Sequence, residues 1–523
     1  MFLLLIVVNL FSSVAQGADL VNVPLGHEVY LFIDRLAAKG ILPVKVQASK
    51  PLSRGQVADL LIEISRKLEM GELSLSNIEQ AHLKGYSKIF AQEFRKRGIN
   101  FTPQQERKYF FTLQDKRYTL NIQPGLQQRT VIQQSRESRR DGTEIIFIHP
   151  TIFGEIEEKF VYNTDYKWGV LINGERYISN PDETSYMSGR FISTLETYTK
   201  IGLSGLSLEL GKDNIWWGPG RHGALMLSDN TDSKDLLKFE GTMGLFKLIA
   251  FTTILRSKFG NKYMSGHRLE MNFLDGFTLA LHETVIYGGR FDLSYQNPFT
   301  IYLIALPITE YGLKGGHGYF GDNALIGGDF NLRITQNVEL YSEFILDDYQ
   351  PQLGLEGFRN WDSKFGILLG AYYINPFALQ DTDFRIEYAF VNQYAYTHEN
   401  LLYGYTNRER SIGHFIGSDA DVLWLESKHW FNDKIRASFA YELLRHGEGG
   451  INKPHQPNDP EEWKFLSGIT EFTHSFSLSL SYLSIGNYSF SADYRYSWIK
   501  NNKHQFSVDN SKQLLVVEAE YQF

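Results

Sequence analysis

The chain has 523 residues, 14% aromatics with 30 Tyr and 37 Phe, no cysteine, a formal net charge of −8 and a mean hydropathy of −0.27. The missing thiols exclude disulfide staples and thiolate metal sites, and the negative charge gives no support to a nucleic-acid partner. That hydropathy is too polar for a membrane protein built of helices, yet the aromatics exceed those of an ordinary soluble enzyme and suit two interfacial girdles.

At the amino end, residues 2–10 form an apolar run followed by small residues and Ala15-Gln16-Gly17. This predicts a signal peptide over residues 1–17, with Ala18 as the mature start. The run is too short to span a bilayer, and no later stretch approaches the roughly 20 apolar residues of a membrane helix. Next, Val29, Phe32, Ile33 and Leu36 recur at helical spacing and stop at Gly40, a glycine placed to end a helix. Ser53-Arg54-Gly55-Gln56 is a capping box ahead of Val57, Leu60, Leu61, Ile64 and Leu68. A second box, Ser76-Asn77-Ile78-Glu79, opens a helix carrying Leu83, Tyr86, Phe90 and Phe94 and ending near Gly98. Three amphipathic helices must bury their faces on one another, which predicts a helical bundle over residues 18–104, on the periplasmic side if the rest is a barrel.

Past that point the period becomes two. Val338, Leu340, Phe344 and Leu346 alternate with Glu339, Tyr341, Glu343 and Ile345, and Phe384, Ile386, Tyr388 and Phe390 with Asp383, Arg385, Glu387 and Ala389. The same holds around residues 434–443, 476–482 and 488–498. The last strand runs Leu515, Val517, Ala519, Tyr521, Phe523 on one face and Leu514, Val516, Glu518, Glu520, Gln522 on the other. One greasy and one charged face suit a barrel wall, with lipid outside and the lumen inside. Connections alternate too: short at 335–337, 431–433 and 485–487, long at 349–362, 398–410, 446–462 and 500–511. Residues 105–523 are therefore expected to form an antiparallel outer-membrane β-barrel of about 16 to 18 strands, its long loops extracellular. Strand parity fails between residues 275 and 321. The terminal aromatic Phe523 resembles the signal by which bacterial barrels engage their assembly machinery, and outer-membrane lipid is the other implied partner.

The sequence carries no metalloprotease, nucleophile-elbow or phosphate-loop motif. Its 14 His lack metal-ligand spacing, and Asp347-Asp348 reads as a pair of solvated loop-edge acids. No enzyme, metal or cofactor is expected. One block stands out: Gly211-Lys212-Asp213-Asn214-Ile215-Trp216-Trp217-Gly218-Pro219-Gly220-Arg221, continuing through His222 to Asp229 and Asn230. Pro219-Gly220 fits the centre of a type II turn, and adjacent indoles on a strand point one to lipid and one to the lumen. An inward Trp beside Arg, His, Asp and Asn suits carbohydrate, the ring stacking on sugar C–H groups and the polar groups bonding hydroxyls. Trp at a barrel end also serves as a girdle residue.

The block over residues 211–230, with Trp-Gly-Pro-Gly and a following Leu-x-x-Ser-x-Asn, resembles the capsule assembly family of Wzi type. The opening Val23-Pro24-Leu25-Gly26, Tyr30, Arg35-Leu36, Gly40-Ile41 and Ser53-Arg54 is similar to that family's, as is Phe344-Ile345-Leu346-Asp347-Asp348. The resemblance implies an outer-membrane barrel with a helical bundle at its periplasmic end. It further implies a non-catalytic lectin that holds capsular or exopolysaccharide at the cell surface. Candidate polymer contacts are then Trp216, Trp217, Arg221, His222, Asp229 and Asn230. Residues 446–462 hold four acids against one lysine and would repel a polyanion, which moves attention to Tyr403, Tyr405, Arg408 and Arg410. The alternatives are a porin or solute channel and, less favoured, an outer-membrane hydrolase.

Overall fold

Serine hydroxyls start two of the four helices described ahead of the barrel wall: Ser53 accepts from the Gln56 amide and Ser76 from that of Glu79, and each box is closed by the return bond. The computed structural model describes residues 20–99, 108–136, 141–157, 159–174, 184–186, 190–203, 205–302, 321–348, 360–484 and 488–523. The signal peptide, the Ala18 start and the 104/105 boundary lie outside these. Helices α1 (Val29–Ala38), α2 (Arg54–Glu69), α3 (Asn77–Ile89) and α4 (Ala91–Lys96) share a core of Phe32, Ile33, Leu36, Val57, Leu61, Ile64, Leu83, Tyr86 and Phe94. Gly40 follows α1 with φ of 82°, where a side chain would be strained. The single helix expected after Ser76 is broken at Phe90, and the break lets Glu93 reach Arg54 at 2.5 Å. Among the described residues, no helix is long and apolar enough to cross a membrane.

The described strands close into an 18-strand antiparallel barrel, the upper end of the expected range. Two wall strands are interrupted by prolines, which cannot donate to the ladder. Tyr118–Gln123 and Gly125–Ser135 meet at Pro124, and Asp141–Ile148 and Thr151–Ile156 meet across Pro150. The final strand Asn510–Gln522 closes the ring by pairing with Tyr488–Lys500 and Gly125–Ser135. Alternation sorts the faces as expected. In Val338–Asp348, Leu340 and Phe344 are open to the outside, while Glu339, Tyr341, Glu343 and Ile345 are buried inside. The parity failure has a plain cause: after Phe277–Gly288 the chain leaves the wall and makes a tight helical turn at Leu293–Gln296, and the wall strand paired next to Phe277–Gly288 is Asn323–Thr335. Asp347 departs from expectation as well. It is buried and accepts the Tyr396 amide at 2.8 Å, while Asp348 pairs with Lys364 at 2.7 Å. A carboxylate with a built-in amide donor does not need the solvent.

The helices sit across the short-turn end. Val44 N–H donates to Asp275 O (2.9 Å), Asn337 N–H to Ala38 O (3.0 Å) and Ser76 Oγ to Asp381 (2.6 Å), while His82 Nε2 meets Asp433 O (3.0 Å). Each of those acidic or amide residues occupies a turn between wall strands. Buried Arg35 reaches Glu79 (2.9 Å), Asn375 (2.8 Å) and Asp383 from α1.

Candidate functional site

After Asp213 the chain turns inward and crosses the lumen as a tongue, residues 214–233, before the wall resumes at Lys234–Met243. Trp216–Trp217 form a two-residue ladder with Ser49–Lys50 of the amino-terminal segment. Both indoles are therefore inside the barrel, not divided between lipid and lumen. Trp217 is 1% exposed and packs edge-on to Phe251, and Trp216 Nε1 donates to Gly218 O at 3.0 Å. The positive φ, 115°, falls on Gly218 and not on Gly220. A Cβ on Gly218 would lie 2.3 Å from Glu343 Oε1, so this position needs glycine for approach as well as for conformation.

Two carboxylates from the wall hold the tongue by its backbone. Glu343 accepts from Gly220 N–H (3.0 Å) and Leu225 N–H (2.7 Å). Glu387 accepts from Arg221 N–H (2.8 Å), His222 N–H (3.2 Å) and the Tyr341 hydroxyl (3.0 Å). Side chains add to this. Arg221 pairs with Asp34 of α1 at 2.5 Å; His222 pairs with Glu442 at 2.6 Å and stacks on Trp424. Asn230 donates to Ser411 O at 3.0 Å. Lys50, facing the tongue, is pushed down to about 7 by burial and by the nearby Arg221 guanidinium, with Asp34 opposing.

The expected contacts thus divide. Trp216, Arg221 and the exposed Asp229 share a partly open cavity of about 240 Å³ with His27, Tyr30 and Lys50. Trp217, His222 and Asn230 are tied into packing. Tyr405 is fully buried, stacks on Tyr396 and donates to Met226 O at 2.8 Å, so it buttresses the tongue. Tyr403 is buried too, edge-on to His398. Arg408 and Arg410 reach the surface at the tip of the Thr406–Asn407 and Arg410–Ser411 ladder, where Arg408 pairs with Asp232 at 3.3 Å.

The long-loop end carries two clefts. One, of about 340 Å³, is lined by Arg256, Lys258, Phe259, Arg408, Glu409 and Asn452. The other, of about 500 Å³, is lined by Gln393, Tyr394, Asn452, Gln456, Asp459 and Lys464 with neighbours from the same loops. Asn452 lines both, so they adjoin; at one end Arg256, Lys258 and Arg408 are each paired with an acid, Asp235, Glu409 and Asp232, and the other end is rich in amides and acids. Nearby, Trp361 stacks on His455 at 3.8 Å. The second cleft had no mark in the sequence beyond a loop rich in Pro, Asn and Gln. Its shape comes from Asp419, which accepts from Gly449 N–H (2.7 Å), Ser467 N–H (3.0 Å) and Ser467 Oγ (2.5 Å). Asp419→Ala is expected to cost about 3 kcal/mol of local order from its lost charge-assisted bonds. Hydrogen exchange should then rise over residues 447–467 alone, and unchanged protection there would contradict the assignment.

Residues 114–514 match the family model of the capsule assembly protein Wzi. The chain is similar in fold to the Escherichia coli outer-membrane protein Wzi, described as a carbohydrate-binding β-barrel involved in group 1 capsule assembly. That match has 14% identity, covers 95% of this chain and 99% of the other, and has a TM-score of 0.60. Acinetobacter baumannii OccAB1 matches over 77% of this chain and 97% of its own at 8% identity, with a TM-score of 0.46. No curated protein sequence matches the chain.

Proposed function

Because the chain belongs to the family of the capsule assembly protein Wzi, we propose that this outer-membrane barrel binds a capsular or exopolysaccharide and anchors it to the cell surface, without catalysis. The long-loop end faces outward in this reading and the helices lie in the periplasm. The observation that carries it is the pair of adjoining clefts at Asn452, about 500 and 340 Å³, open at the long-loop end. Their amides bond hydroxyls and acetamido groups, and Arg256, Lys258 and Arg408, each paired with an acid, share their remaining donors with a carboxylate or phosphate substituent. Glu448, Asp459 and Glu462 line the other end, which favours a sparsely charged polymer over a dense polyanion. The tongue block then holds the barrel closed and is not the polymer site. Phe523 engages the assembly machinery, and its removal lowers the amount of barrel at the surface.

A deletion strain complemented with the wild type or with Arg256→Ala, Lys258→Ala, Arg408→Ala and Asn452→Ala together tests this. With the variant, polymer is still made but shed into the medium, and retention with the wild type is normal. Equal retention by both, at equal barrel levels, ends the proposal. A channel reading has one observation in its favour. Arg495 and Glu518 point into the lumen from wall strands near the carboxy terminus and keep solvent contact there. Conductance typical of an open porin from the purified wild type would promote that reading.

A further inference from the structure

One sector of the wall carries polar groups on its outer face, where hydrocarbon is expected. On Phe277–Gly288, His282 faces Trp217 in the lumen, so the odd-numbered side chains point outward, and Leu281 is 55% exposed there. Beyond Leu281 the same face continues with Glu283, Val285 and Tyr287, all buried. On the neighbouring strand Lys262–Leu274, Arg268 donates to Ala48 O inside the barrel, which sets Ser265, His267 and Leu269 outward. His267 meets Glu283 at 3.3 Å across the ladder, and Ser265 is fully buried. The chain's own segment after Gly288 is what covers them.

Residues 290–302 fold back along the outside of the wall as a strap. Tyr295 and Tyr302 are buried and pack with Val285, Tyr287 and Ala324. Gln296 Nε2 donates to the Tyr287 hydroxyl (2.9 Å), Gln296 Oε1 accepts from Thr252, and the Tyr302 amide donates to Glu283 Oε2 at 2.8 Å. The opposite face is apolar: Phe291, Leu293, Phe299 and Ile301 are all exposed, Leu293 and Phe299 by 76% and 73%. The strap also reaches deep. Tyr263 and Tyr287 stack at 5.5 Å near the long-loop end, as girdle residues do. Glu283 stands on the same strand as Tyr287, about 13 Å nearer the short-turn end. In register, Ala250 flanks the His267–Glu283 pair on one side and Ile326 on the other. The Tyr302 end of the strap thus sits at the level of the hydrocarbon belt, which continues below it in Leu269 and Leu281.

We propose that the strap is a lipid-docking element, seated in the leaflet that borders the long-loop end with acyl chains on Phe291, Leu293, Phe299 and Ile301. Its inner face closes over the His267–Glu283 pair and the Thr252 and Ser265 hydroxyls, which would otherwise meet hydrocarbon, where polar groups are costly. The claim needs only the barrel in its membrane and is independent of which polymer is bound.

The chain has no cysteine, so single nitroxide labels report position in the full-length barrel reconstituted into phospholipid vesicles. Phe299→Cys and Ile301→Cys are compared with Leu281→Cys on the wall and Asn458→Cys on an exposed loop. The strap labels should behave like the wall label. They should collide often with dissolved oxygen and roughly 100-fold less often than the loop label with the chromium oxalate anion, because hydrocarbon excludes charge. In the Phe299→Asp, Ile301→Asp variant the strap should lift, and a label at Leu293→Cys should gain roughly tenfold in collisions with chromium oxalate. Heat-modifiability like the wild type's checks that the wall of each variant is intact. Strap labels that match the loop label, or no gain at position 293 in the aspartate variant, overturn the proposal. So do strap labels shielded from both agents, which would assign the apolar face to a second copy or another protein.

Discussion

Replacing Glu343 and Glu387 together with alanine is expected to release the tongue and raise the conductance of the barrel several-fold. Four tongue amides, those of Gly220, Arg221, His222 and Leu225, end on these two carboxylates. Each such bond contributes about 1 kcal/mol, and each buried amide left without an acceptor costs about 1–3 kcal/mol, so their joint loss loosens the tongue. The wall itself should survive, because both residues keep their ladder positions opposite Asp329 and Gly370. Single-channel recording in planar bilayers decides. A variant that is heat-modifiable like the wild type but conducts no better would mean that the tongue is not what narrows the lumen.

The second large effect is expected at Arg35. Its guanidinium joins α1 to Glu79 of α3 and to Asn375 and Asp383 at the short-turn end, with its side chain only 6% exposed. Burial raises the Glu79 carboxyl, but Lys39 and Arg35 outweigh this and hold it below the usual range. Arg35→Ala leaves Asp383 with only the Tyr372 hydroxyl (2.9 Å) as a hydrogen-bond donor among the described side chains and breaks a buried ion pair, a loss of about 3–5 kcal/mol. Amide exchange in α1 and α3 should accelerate by roughly 100- to 4,000-fold while the wall strands stay protected. Uniform acceleration, or none, would contradict a helical unit docked through this residue.

Much of this architecture was legible in the residues. Ser53 with Gln56 and Ser76 with Glu79 mark helix starts because a capping box is a local device, complete within four residues. Period-two alternation marks wall strands because a barrel wall meets two solvents, and the residues facing lipid cannot hide their character. The tongue was not legible. Trp-Trp-Gly-Pro-Gly suits a barrel-rim turn or a sugar platform, and what brings it into the lumen is its hold on Glu343 and Glu387, more than 100 residues away in the chain. The same limit hid the roles of Tyr403 and Tyr405. A tyrosine that stacks on sugar and one that buttresses a loop are the same residue until the neighbours are known. In the groove, the acids of residues 446–462 read as repulsive to a polyanion, and Glu448, Asp459 and Glu462 do line it; what the local count could not show is that Asp419 folds that loop around Asn452 and Gln456.

The most direct test of the central claim is binding of the cell's own purified surface polysaccharide to the full-length barrel in lipid nanodiscs. The wild type is compared with the variant carrying alanine at Arg256, Lys258, Arg408 and Asn452. The account predicts saturable binding by the wild type, weakened roughly tenfold or more in the variant because its charges are exposed and partly screened. A tongue variant, Trp217→Phe, should bind as the wild type does. Binding that is absent in the wild type, or equal in the groove variant and lost with Trp217→Phe, would contradict it.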